Sequence, residues 1–435
     1  MFPPLPPIIV RNVVYPLYRG FRGDTLIAAL EELEKNQWLP PRELEDLSQR
    51  RLEALVAYSA LHVPYYRDAF RQANLKPEDI QSPADFEKLP FLTKDAIRGA
   101  GSRLVSQDPL RKGFASIAGG STGEPTSFYG DVAAGPIRRA NTMRGYRWMG
   151  VDIGDRQAVF WGVHLDAPLR ERAVSAVKNY FSNTVLFSTF EMSDQSMARC
   201  ASRLRRYKPR LITGYPSALA LFAGFCQSRR IVDIRPHAVI SSGEELYESQ
   251  RELIEAVFGC RVFDRYGRRE FAAVAQECDE HRGLHVMNDL FHVEIIAADG
   301  KRANEGEVGE VVVTDLSNYY MPFIRYRTGD LAVSTGRICR CGRGLPLLDR
   351  VEGRTFDTIV TTEGKHVGGF FWTWLSRAVP GIRRFQIEQR ERSGIVFKFV
   401  PGPEWRAESE RELEKRIRET CGDGFRVTFA PVDEI

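Results

Sequence analysis

From about residue 156 onward, short apolar runs rich in β-formers alternate with helical stretches, and this alternation limits the fold more than any other feature of the chain. The apolar runs are AVFWGVH from position 158, LITGY from 211 and AVISSG from 238. Helical stretches over 216–227 and 247–258 follow the second and third runs. Strands that alternate with helices form a sheet with crossover helices. This region therefore predicts an α/β body.

The pattern changes in the second half of the chain. FHVEIIA from 291 and GEVVVT from 309 are predicted as antiparallel strands of a smaller β subdomain. After residue 353, DTIVT, the alternating runs RFQIEQ and IVFKFV, and a helix over 408–420 indicate a compact α+β unit. A chain of 435 residues exceeds one hydrophobic core. We expect a large domain over 1–353 and a small, mobile domain over 354–435.

Charge and hydropathy exclude several classes of protein. The 61 basic and 57 acidic residues are dispersed, so no basic block indicates a nucleic-acid partner. No stretch approaches the roughly 20 apolar residues of a membrane span, and the proline-broken start lacks the basic region of a signal peptide. We expect a cytoplasmic protein without a transmembrane segment. Residues 2–21 either pack on the body or lie on a membrane surface.

A glycine-rich loop occupies residues 117–126, with the sequence IAGGSTGEPT. Its backbone N–H groups and hydroxyls are dense enough to wrap a polyphosphate. No Lys-Ser/Thr pair follows the last glycine, so it is not a Walker loop. Taken alone, a Gly/Ser-rich run of this kind is more often an ordinary surface turn.

Two later segments carry nucleotide chemistry of the same kind. The first is SSGE at 241–244 with DRYGRRE at 264–270, where Tyr266 can stack on a purine and Glu270 can bind Mg²⁺. The second is RYRTGDL at 325–331, where Asp330 can accept hydrogen bonds from a ribose diol and Arg327 can meet phosphate charge. The alternatives are a strand edge and a solvated ion-pair cluster.

In this order, the motifs resemble the adenylate-forming superfamily, most closely its phenylacetate–CoA ligase-like branch, which includes CapK-like proteins linked to polysaccharide loci. The resemblance runs from about Leu44 to the end of the sequence. It implies that ATP and Mg²⁺ activate a small carboxylic acid as an acyl-AMP, and that the acyl group passes to a thiol of coenzyme A or of a carrier protein. Glu124 stands where relatives frequently have a lysine.

The resemblance also assigns roles to individual residues. It implies an adenine cover in Tyr266, a ribose ligand in Asp330 and a magnesium ligand in Glu270. It implies catalytic roles for Glu270, Arg327 and Thr122. The nucleotide-binding residues by resemblance are Gly120, Ser121, Thr122, Gly123, Ser242, Gly243, Glu244, Tyr266, Gly267, Glu270, Asp330 and Arg354.

The resemblance extends to the second domain. Arg354 belongs to the segment GRTFD at 353–357, which resembles the family's hinge, although many relatives have paired acidic residues in place of Phe356-Asp357. Relatives usually continue past the equivalent of Ile435 into a loop whose Gly-Lys lysine serves adenylation. We expect the sequence to be truncated relative to its natural product; the alternative is that the protein has lost the step.

Cysteine spacing indicates a metal site. Cys278 and His285 precede Cys339 and Cys341, which together supply three thiols and one imidazole, a set suited to structural Zn²⁺. His281 competes with His285 for the fourth position. The alternative is a group of buried thiols with a surface histidine.

The acyl pocket and the acceptor are less constrained. Candidate pocket walls are Trp161-Gly162, the GYPS segment at 214–217 and Tyr146. Three functions are open: an acid–thiol ligase, a nucleotide-binding protein that has lost catalysis, and an adenylating enzyme that transfers to an amine, sugar or hydroxyl acceptor in polysaccharide or secondary metabolism. A homodimer is also left open.

Overall fold

The structure is a computed structural model, and it describes residues 4–17, 25–80, 82–118, 126–162, 169–189, 192–354, 359–363, 366–367, 372, 375–376, 379 and 381–434. The α-helices are α1 Pro7–Ile9, α2 Leu26–Asn36, α3 Pro41–His62, α4 Pro64–Gln72, α5 Pro83–Phe86, α6 Lys94–Ala100, α7 Ala134–Trp148, α8 Leu169–Phe181, α9 Asp194–Tyr207, α10 Pro216–Ser228, α11 Glu248–Phe258 and α12 Ala407–Cys421. A π-helix, Val10–Val14, continues α1, and 3-10 turns occupy Pro77–Asp79 and Gly101–Leu104.

The strands are β1 Gly113–Ala118, β2 Thr126–Asp131, β3 Gln157–Trp161, β4 Thr184–Ser188, β5 Leu211–Gly214, β6 Ala238–Ser242, β7 Arg261–Arg268, β8 Ala272–Glu277, β9 Leu284–Val286, β10 Phe291–Ile296, β11 Val308–Asp315, β12 Tyr326–Thr335, β13 Leu347–Arg354, β14 Ile359–Val360, β15 His366–Val367, β16 Ile382–Glu391, β17 Gly394–Pro401 and β18 Arg426–Pro431. Two compact units form: residues 1–328 with 332–350, and residues 329–331 with 351–435. The domain boundary predicted after residue 353 stays a prediction.

The alternating region forms the parallel half of a large sheet, as the sequence pattern predicts. Strands β4, β3, β5, β6 and β7 pair in parallel in that spatial order. Helices α8 to α11 connect successive strands. The mixed α/β class predicted from the sequence is confirmed.

The strands predicted as a separate β subdomain belong to the same sheet. The order β10-β11-β12-β13-β9-β8-β7 continues directly into the parallel half and gives 11 hydrogen-bonded strands. The pairings of β7 with β8, β8 with β9, and β10 with β11 are antiparallel. The physical reason is that β8 folds back on β7 through a short turn, so the antiparallel strands extend the sheet rather than start another one.

Both faces of the parallel half are covered. Along β6, Val239 enters a core with α9, α10 and α11, whereas Ala238 and Ile240 enter a core with Tyr146 of α7. Successive strand residues point to opposite faces, so a strand that is apolar throughout requires a layer on each side. The near-continuous apolar runs of the sequence have this cause.

The helical region over residues 41–72 is divided into two helices. Helix α3 ends at His62, and Val63 adopts an extended backbone with φ −115° and ψ 111° before α4 begins at Pro64. A residue before proline is disfavoured in the helical region because of a clash with the proline ring. In the described part of the chain, no helix has both the length and the apolarity to cross a bilayer.

The second unit contains a three-stranded sheet with the order β16-β17-β18. Strands β16 and β17 are antiparallel, and β18 returns parallel to β17 after helix α12. Leu413, Ile417 and Cys421 recur every fourth residue on α12 and pack against the sheet. This unit therefore has its own hydrophobic core.

Candidate functional site

The parallel half has a topological switch point between β3 and β5. From β3 the chain passes to β4 on one side and then to β5 on the other side. Ligands of open α/β sheets bind outside the carboxyl ends of strands at such a point. Trp161 ends β3 and Tyr215 follows β5, so both aromatic residues flank the switch point. We call Trp161, Tyr215, Gly243 and Tyr266 the carboxyl edge, because each lies at this end of a parallel strand.

Two aromatic rings of the carboxyl edge are stacked. The ring centroids of Trp161 and Tyr215 are 4.3 Å apart with an interplanar angle of 21°. Gly243 has φ +88°, and a Cβ there would lie 2.9 Å from Tyr215 Cε1 and 3.4 Å from Trp161 Cη2. Glycine is favoured here because its backbone is left-handed and because it lies close to both rings. Trp161 and Tyr215, both half-buried, therefore form a flat wall with the exposed Gly243 against it.

A carboxylate lies beside this wall. The backbone N–H of Ser217, in the first turn of α10, points to Glu244 Oε2 at 3.5 Å. Burial raises the pKa of Tyr215, and Glu244 raises it further, whereas the backbone N–H of Gly162 and the charge of Arg269 oppose the shift. The Tyr215 hydroxyl therefore stays protonated, and the Glu244 carboxylate lies near it.

Tyr266 and Gly267 lie where the pairing of β7 with β8 is irregular. The register shifts between these two residues. A Cβ on Gly267 would overlap the carbonyl oxygen of Ala272, which itself has φ +63°. Irregularities of this kind re-aim side chains near active sites. Ser242, on the neighbouring strand, donates its hydroxyl to the carbonyl of Arg265 at 3.0 Å.

Glu270 is a buried carboxylate in the turn between β7 and β8. Its side chain is 5% exposed, and Arg268, which is 7% exposed, lies at 3.5 Å from Nη2 to Glu270 Oε1. A buried charge requires a compensating partner. Arg268 supplies it, and the sequence analysis did not assign this arginine a role. Its position two residues before a candidate metal ligand is the signal that could have found it.

The RYRTGDL motif divides between core and surface. Arg325 is buried and pairs with Glu294, with Nη2 2.8 Å from Oε1. Arg327 is 44% exposed; its Nε donates to Glu310 Oε2 at 2.7 Å, and its guanidinium lies over the Phe91 ring. Arg327 therefore already has an anionic partner on its own sheet. Asp330 lies further along β12 and is buried.

Several predicted site residues cannot be placed. Gly120, Ser121, Thr122 and Gly123 lie outside the described residues, as does the hinge segment after Arg354. Arg354 ends strand β13, and only its backbone is described. Tyr146, a candidate for the acyl pocket, packs into the hydrophobic core below the sheet.

The structure brings Cys278, His285, Cys339 and Cys341 together; we call them the Cys/His cluster. Their four potential ligand atoms all lie within 4.8 Å of one another. Cys278 Sγ is 3.7 Å from Cys339 Sγ, and Cys341 Sγ is 3.3 Å from His285 Nε2. Three of the four residues are buried, and Cys341 is half-buried. Residues from three parts of the chain thus converge on one point.

The imidazole of the cluster is oriented by the backbone. His285 Nδ1 is 3.1 Å from the carbonyl oxygen of Leu345, which can only accept a hydrogen bond. Nδ1 therefore carries the proton, and the lone pair of Nε2 points to the thiols. Burial lowers the pKa of His285 to about 4. The ring is thus neutral, as a metal ligand must be.

The competing histidine has another set of partners. His281 Nδ1 lies 3.1 Å from Glu277 Oε2 and 3.4 Å from Arg251 Nη1. Its φ of +49° turns the chain after Cys278. Consequently, His281 lies in a charged network beside the cluster, and His285 is the histidine whose nitrogen reaches the thiols.

The chain is similar to several phenylacetate–coenzyme A ligases, although no protein-family model matches it. It is 26% identical over 340 residues to that of Thermus thermophilus, covering 74% of this chain and 73% of the relative. It is 28% identical over 348 residues to that of Aromatoleum evansii, covering 76% and 74%. It is 27% identical over 329 residues to that of Escherichia coli, covering 73% and 72%.

Solved structures of 2-hydroxyisobutyryl-CoA ligase share the fold. The structure in the postadenylation state with R3-HIB-AMP has a TM-score of 0.70 at 20% identity and covers 92% of this chain and 88% of its own. The structure with 2-HIB-AMP and CoA in the thioesterification state has a TM-score of 0.66 at 20% identity, with coverages of 92% and 89%. The chain is therefore similar in sequence to phenylacetate–CoA ligases, and it shares the fold of 2-hydroxyisobutyryl-CoA ligase.

Proposed function

We propose that the chain activates a carboxylic acid as an acyl-AMP with ATP and Mg²⁺, and then transfers the acyl group to the thiol of coenzyme A. The observation that carries the proposal is the carboxyl edge at the switch point, which gathers Trp161, Tyr215 and Gly243 at the ends of neighbouring parallel strands. The likeness to phenylacetate–CoA ligases supports it.

In the first half-reaction, an oxygen of the substrate carboxylate attacks the α-phosphorus of ATP, and pyrophosphate leaves. Tyr266 would cover the adenine, and Asp330 would hold the ribose diol. The residues fit magnesium, because one carboxylate with substrate phosphates is a common set of ligands for this ion. Glu270 would supply that carboxylate, and magnesium, when bound, offsets the charge of the phosphate oxygens. Gly120 to Gly123 would surround the departing pyrophosphate.

In the second half-reaction, the thiol sulfur attacks the acyl carbon, and AMP leaves with the electron pair of the broken bond. The stacked wall of Trp161 and Tyr215 would shield the acyl-AMP from water on one side. Arg327 would approach phosphate only by leaving Glu310, with which it pairs. Rotation of the second domain about the segment that includes Arg354 stays a prediction.

The test of the function is carboxylate-dependent exchange of labelled pyrophosphate into ATP, with a panel of aryl, fatty and hydroxy acids. We expect exchange with at least one acid, and consumption of free coenzyme A thiol when it is added. The absence of exchange with every acid would reject adenylation. Exchange without thiol consumption would direct the search to a carrier-protein thiol or to an amine, sugar or hydroxyl acceptor.

The ribose assignment has a separate test. Asp330→Ala should weaken ATP binding by about tenfold to a hundredfold, because hydrogen bonds to a charged acceptor contribute roughly 1.5–3 kcal/mol. Titration calorimetry without acid measures this affinity, and thermal unfolding checks the fold. An unchanged ATP affinity in a folded variant would contradict the ribose role.

We also propose that the Cys/His cluster binds a structural Zn²⁺ ion. Tetrahedral zinc with Zn–S bonds of about 2.3 Å places its sulfurs about 3.8 Å apart, and Cys278 and Cys339 are separated by 3.7 Å. Three thiolates and one imidazole complete four-coordinate zinc without an open position, which is typical of a structural site. The ion would join β9 to the loop before β13.

Metal analysis of untreated protein tests this assignment. We expect about one zinc per chain, and less than about half would contradict it.

Size-exclusion chromatography with light scattering on the same sample tests the homodimer left open by the sequence.

A further inference from the structure

The surroundings of the Cys/His cluster include a turn near the start of the chain. Residues 37–40 connect α2 to α3, and the backbone N–H of Gly344 donates to the carbonyl of Gln37 at 2.9 Å. A Cβ on Gly344 would overlap the carbonyl oxygen of Leu39. The loop that follows Cys341 is therefore in direct backbone contact with this turn, although about 300 residues separate them in sequence.

Arg343 joins the two segments through its side chain. Its guanidinium carbon lies 4.9 Å from the ring centroid of Trp38 and 4.6 Å from that of Trp148. Its Nε is 3.4 Å from Gln37 Oε1, which also accepts a hydrogen bond from Trp148 Nε1 at 2.6 Å. Cation–π contacts of a desolvated arginine are stronger than those at the surface, and Arg343 is only 9% exposed.

The same residues contact the cluster. The Trp148 ring meets the His285 ring edge to face, with centroids 5.6 Å apart. The backbone and the side chain of Arg343 both donate hydrogen bonds to the Cys341 sulfur. Arg343 thus donates to a ligand sulfur on one side and packs between two indoles on the other.

We propose that Arg343 is a positioning residue that couples metal binding in the Cys/His cluster to the docking of the 37–40 turn. With the metal bound, the Cys339–Cys341 loop has one shape, and Arg343 lies between Trp38 and Trp148. Without it, the loop loses its crosslink to Cys278 and His285, and the guanidinium loses its fixed position. The inference rests on the proposed zinc site but not on acid activation.

Hydrogen exchange of the whole chain, with and without removal of the metal by a chelator, tests the coupling. We expect the peptides over 36–41 and 342–346 to lose protection together when zinc is removed, because the Gly344–Gln37 hydrogen bond opens. Peptides of the second unit, such as α12, should keep their protection. Unchanged exchange at 36–41 in zinc-free protein would overturn the proposal.

A matched pair of variants isolates Arg343. Arg340 lies between the two cysteines and is exposed, so Arg340→Met is the control for Arg343→Met. We expect Arg343→Met to release zinc to a chromophoric chelator about 10 to 100 times faster than wild type, as for other residues that support metal ligands. Arg343→Lys, which keeps the charge but not the planar stack, should lie between. Arg340→Met should release zinc as wild type does.

The absorption spectrum of the cobalt-substituted protein adds a measurement that does not change when the fold is merely less stable. Loss of the hydrogen bond to Cys341 should shift the thiolate-to-cobalt charge-transfer band of folded Arg343→Met to longer wavelength, with no shift in Arg340→Met. Equal release rates and identical spectra for the two methionine variants would overturn the proposal. The absence of zinc from wild-type protein would also overturn the proposal. Failure of pyrophosphate exchange would reject only the proposed enzymatic function.

Discussion

The carboxyl edge and the Cys/His cluster lie on the same 11-stranded sheet but are built in opposite ways. At the carboxyl edge, Trp161 and Tyr215 are half-buried, and Gly243 has a positive φ where strand β6 ends. In the cluster, the ligand atoms are packed together, and His285 has its second nitrogen bonded to the backbone. A site that exchanges substrates must remain accessible, whereas a structural metal site gains stability by closing.

The difference also follows strand direction. The carboxyl ends of parallel strands lie at one edge of the sheet. Residues that end or follow β3, β5 and β6 therefore meet at this edge, and no tight turn is needed to bring them together. Antiparallel strands are joined by short turns, which bring Cys278 and His285 close to each other across β8 and β9. The parallel half therefore brings the residues of the carboxyl edge together, and the antiparallel half brings Cys278 close to His285.

The largest expected effect concerns the Cys/His cluster. Cys278→Ala should remove most of the bound zinc and lower the free energy of unfolding by about 4 kcal/mol or more, because loss of a structural metal is among the few single changes of that size. Denaturant unfolding and metal analysis measure both quantities. Cys226→Ala, at a buried thiol outside the cluster, should cost about 1 kcal/mol. Equal losses for the two variants would remove the contrast between the sites.

The next effect concerns Glu270, the predicted magnesium ligand in the turn between β7 and β8. Glu270→Gln should lower the rate of pyrophosphate exchange by about 100-fold or more, which corresponds to roughly 3 kcal/mol in the barrier, and should raise the magnesium concentration required. Its effect on unfolding is measured alongside, since Gln keeps a hydrogen-bond acceptor for Arg268 but removes the charge that compensates this buried arginine. Glu305→Gln, at an exposed position, is the control. Wild-type exchange and magnesium dependence in Glu270→Gln would contradict the magnesium role.

A third prediction concerns the pH dependence of stability, and it separates the contribution of His292 on strand β10 from that of the Cys/His cluster. Burial lowers the pKa of His292 to about 4, and Arg302 and Arg325 lower it in the same direction. The folded state therefore binds fewer protons than the unfolded chain between pH 6.5 and 4, and stability is lost as the pH falls through this window. The expected loss from pH 7.5 to 5 is about 2 kcal/mol.

His292→Gln should remove the loss of stability at low pH that comes from His292. Any loss that comes from the Cys/His cluster should remain. Urea unfolding at several pH values, with and without a chelator, distinguishes the two parts. If the variant keeps the whole pH dependence in chelated protein, the assignment to His292 is wrong.

The last prediction tests the aromatic wall. Gly243→Ala should destabilise the fold by about 1–3 kcal/mol, through its positive φ and its contact with Tyr215 and Trp161. Gly300 also has a positive φ, +83°, but has no neighbouring atom within 4 Å of an added Cβ. Gly300→Ala therefore carries the backbone cost alone. The Michaelis constant for the acid should change only in Gly243→Ala, and equal effects on both would exclude a substrate role for the wall.

Local features of the fold were predictable from the sequence. The runs at 158, 211 and 238 became β3, β5 and β6 because strands covered on both faces must be apolar throughout. A helix was predicted over 408–420, and α12 spans Ala407–Cys421. The continuation of β7 into β8 was not predicted, because strand order depends on pairings between distant segments, which no local pattern encodes.

The site shows the same division. Residue types and spacing identified three thiols with two candidate histidines, but the choice between His281 and His285 depends on which ring nitrogen reaches the sulfurs in three dimensions. Likewise, Arg327 was recognised as a cation within a motif, whereas its pairing with Glu310 appears only once β11 and β12 are adjacent. Arg343 gave no signal beyond its closeness to Cys341.

By itself, then, the sequence determined the α/β class, several of the helices and strands, the chemical types at each site and the resemblance to phenylacetate–CoA ligases, because these depend on residues close together in the chain. Only the tertiary structure decided that Trp161 stacks on Tyr215 against Gly243, and that the 37–40 turn packs on the Cys/His cluster. Such contacts join residues from about 30 to 300 positions apart, and they form only when packing of the whole sheet and its helices fixes their geometry.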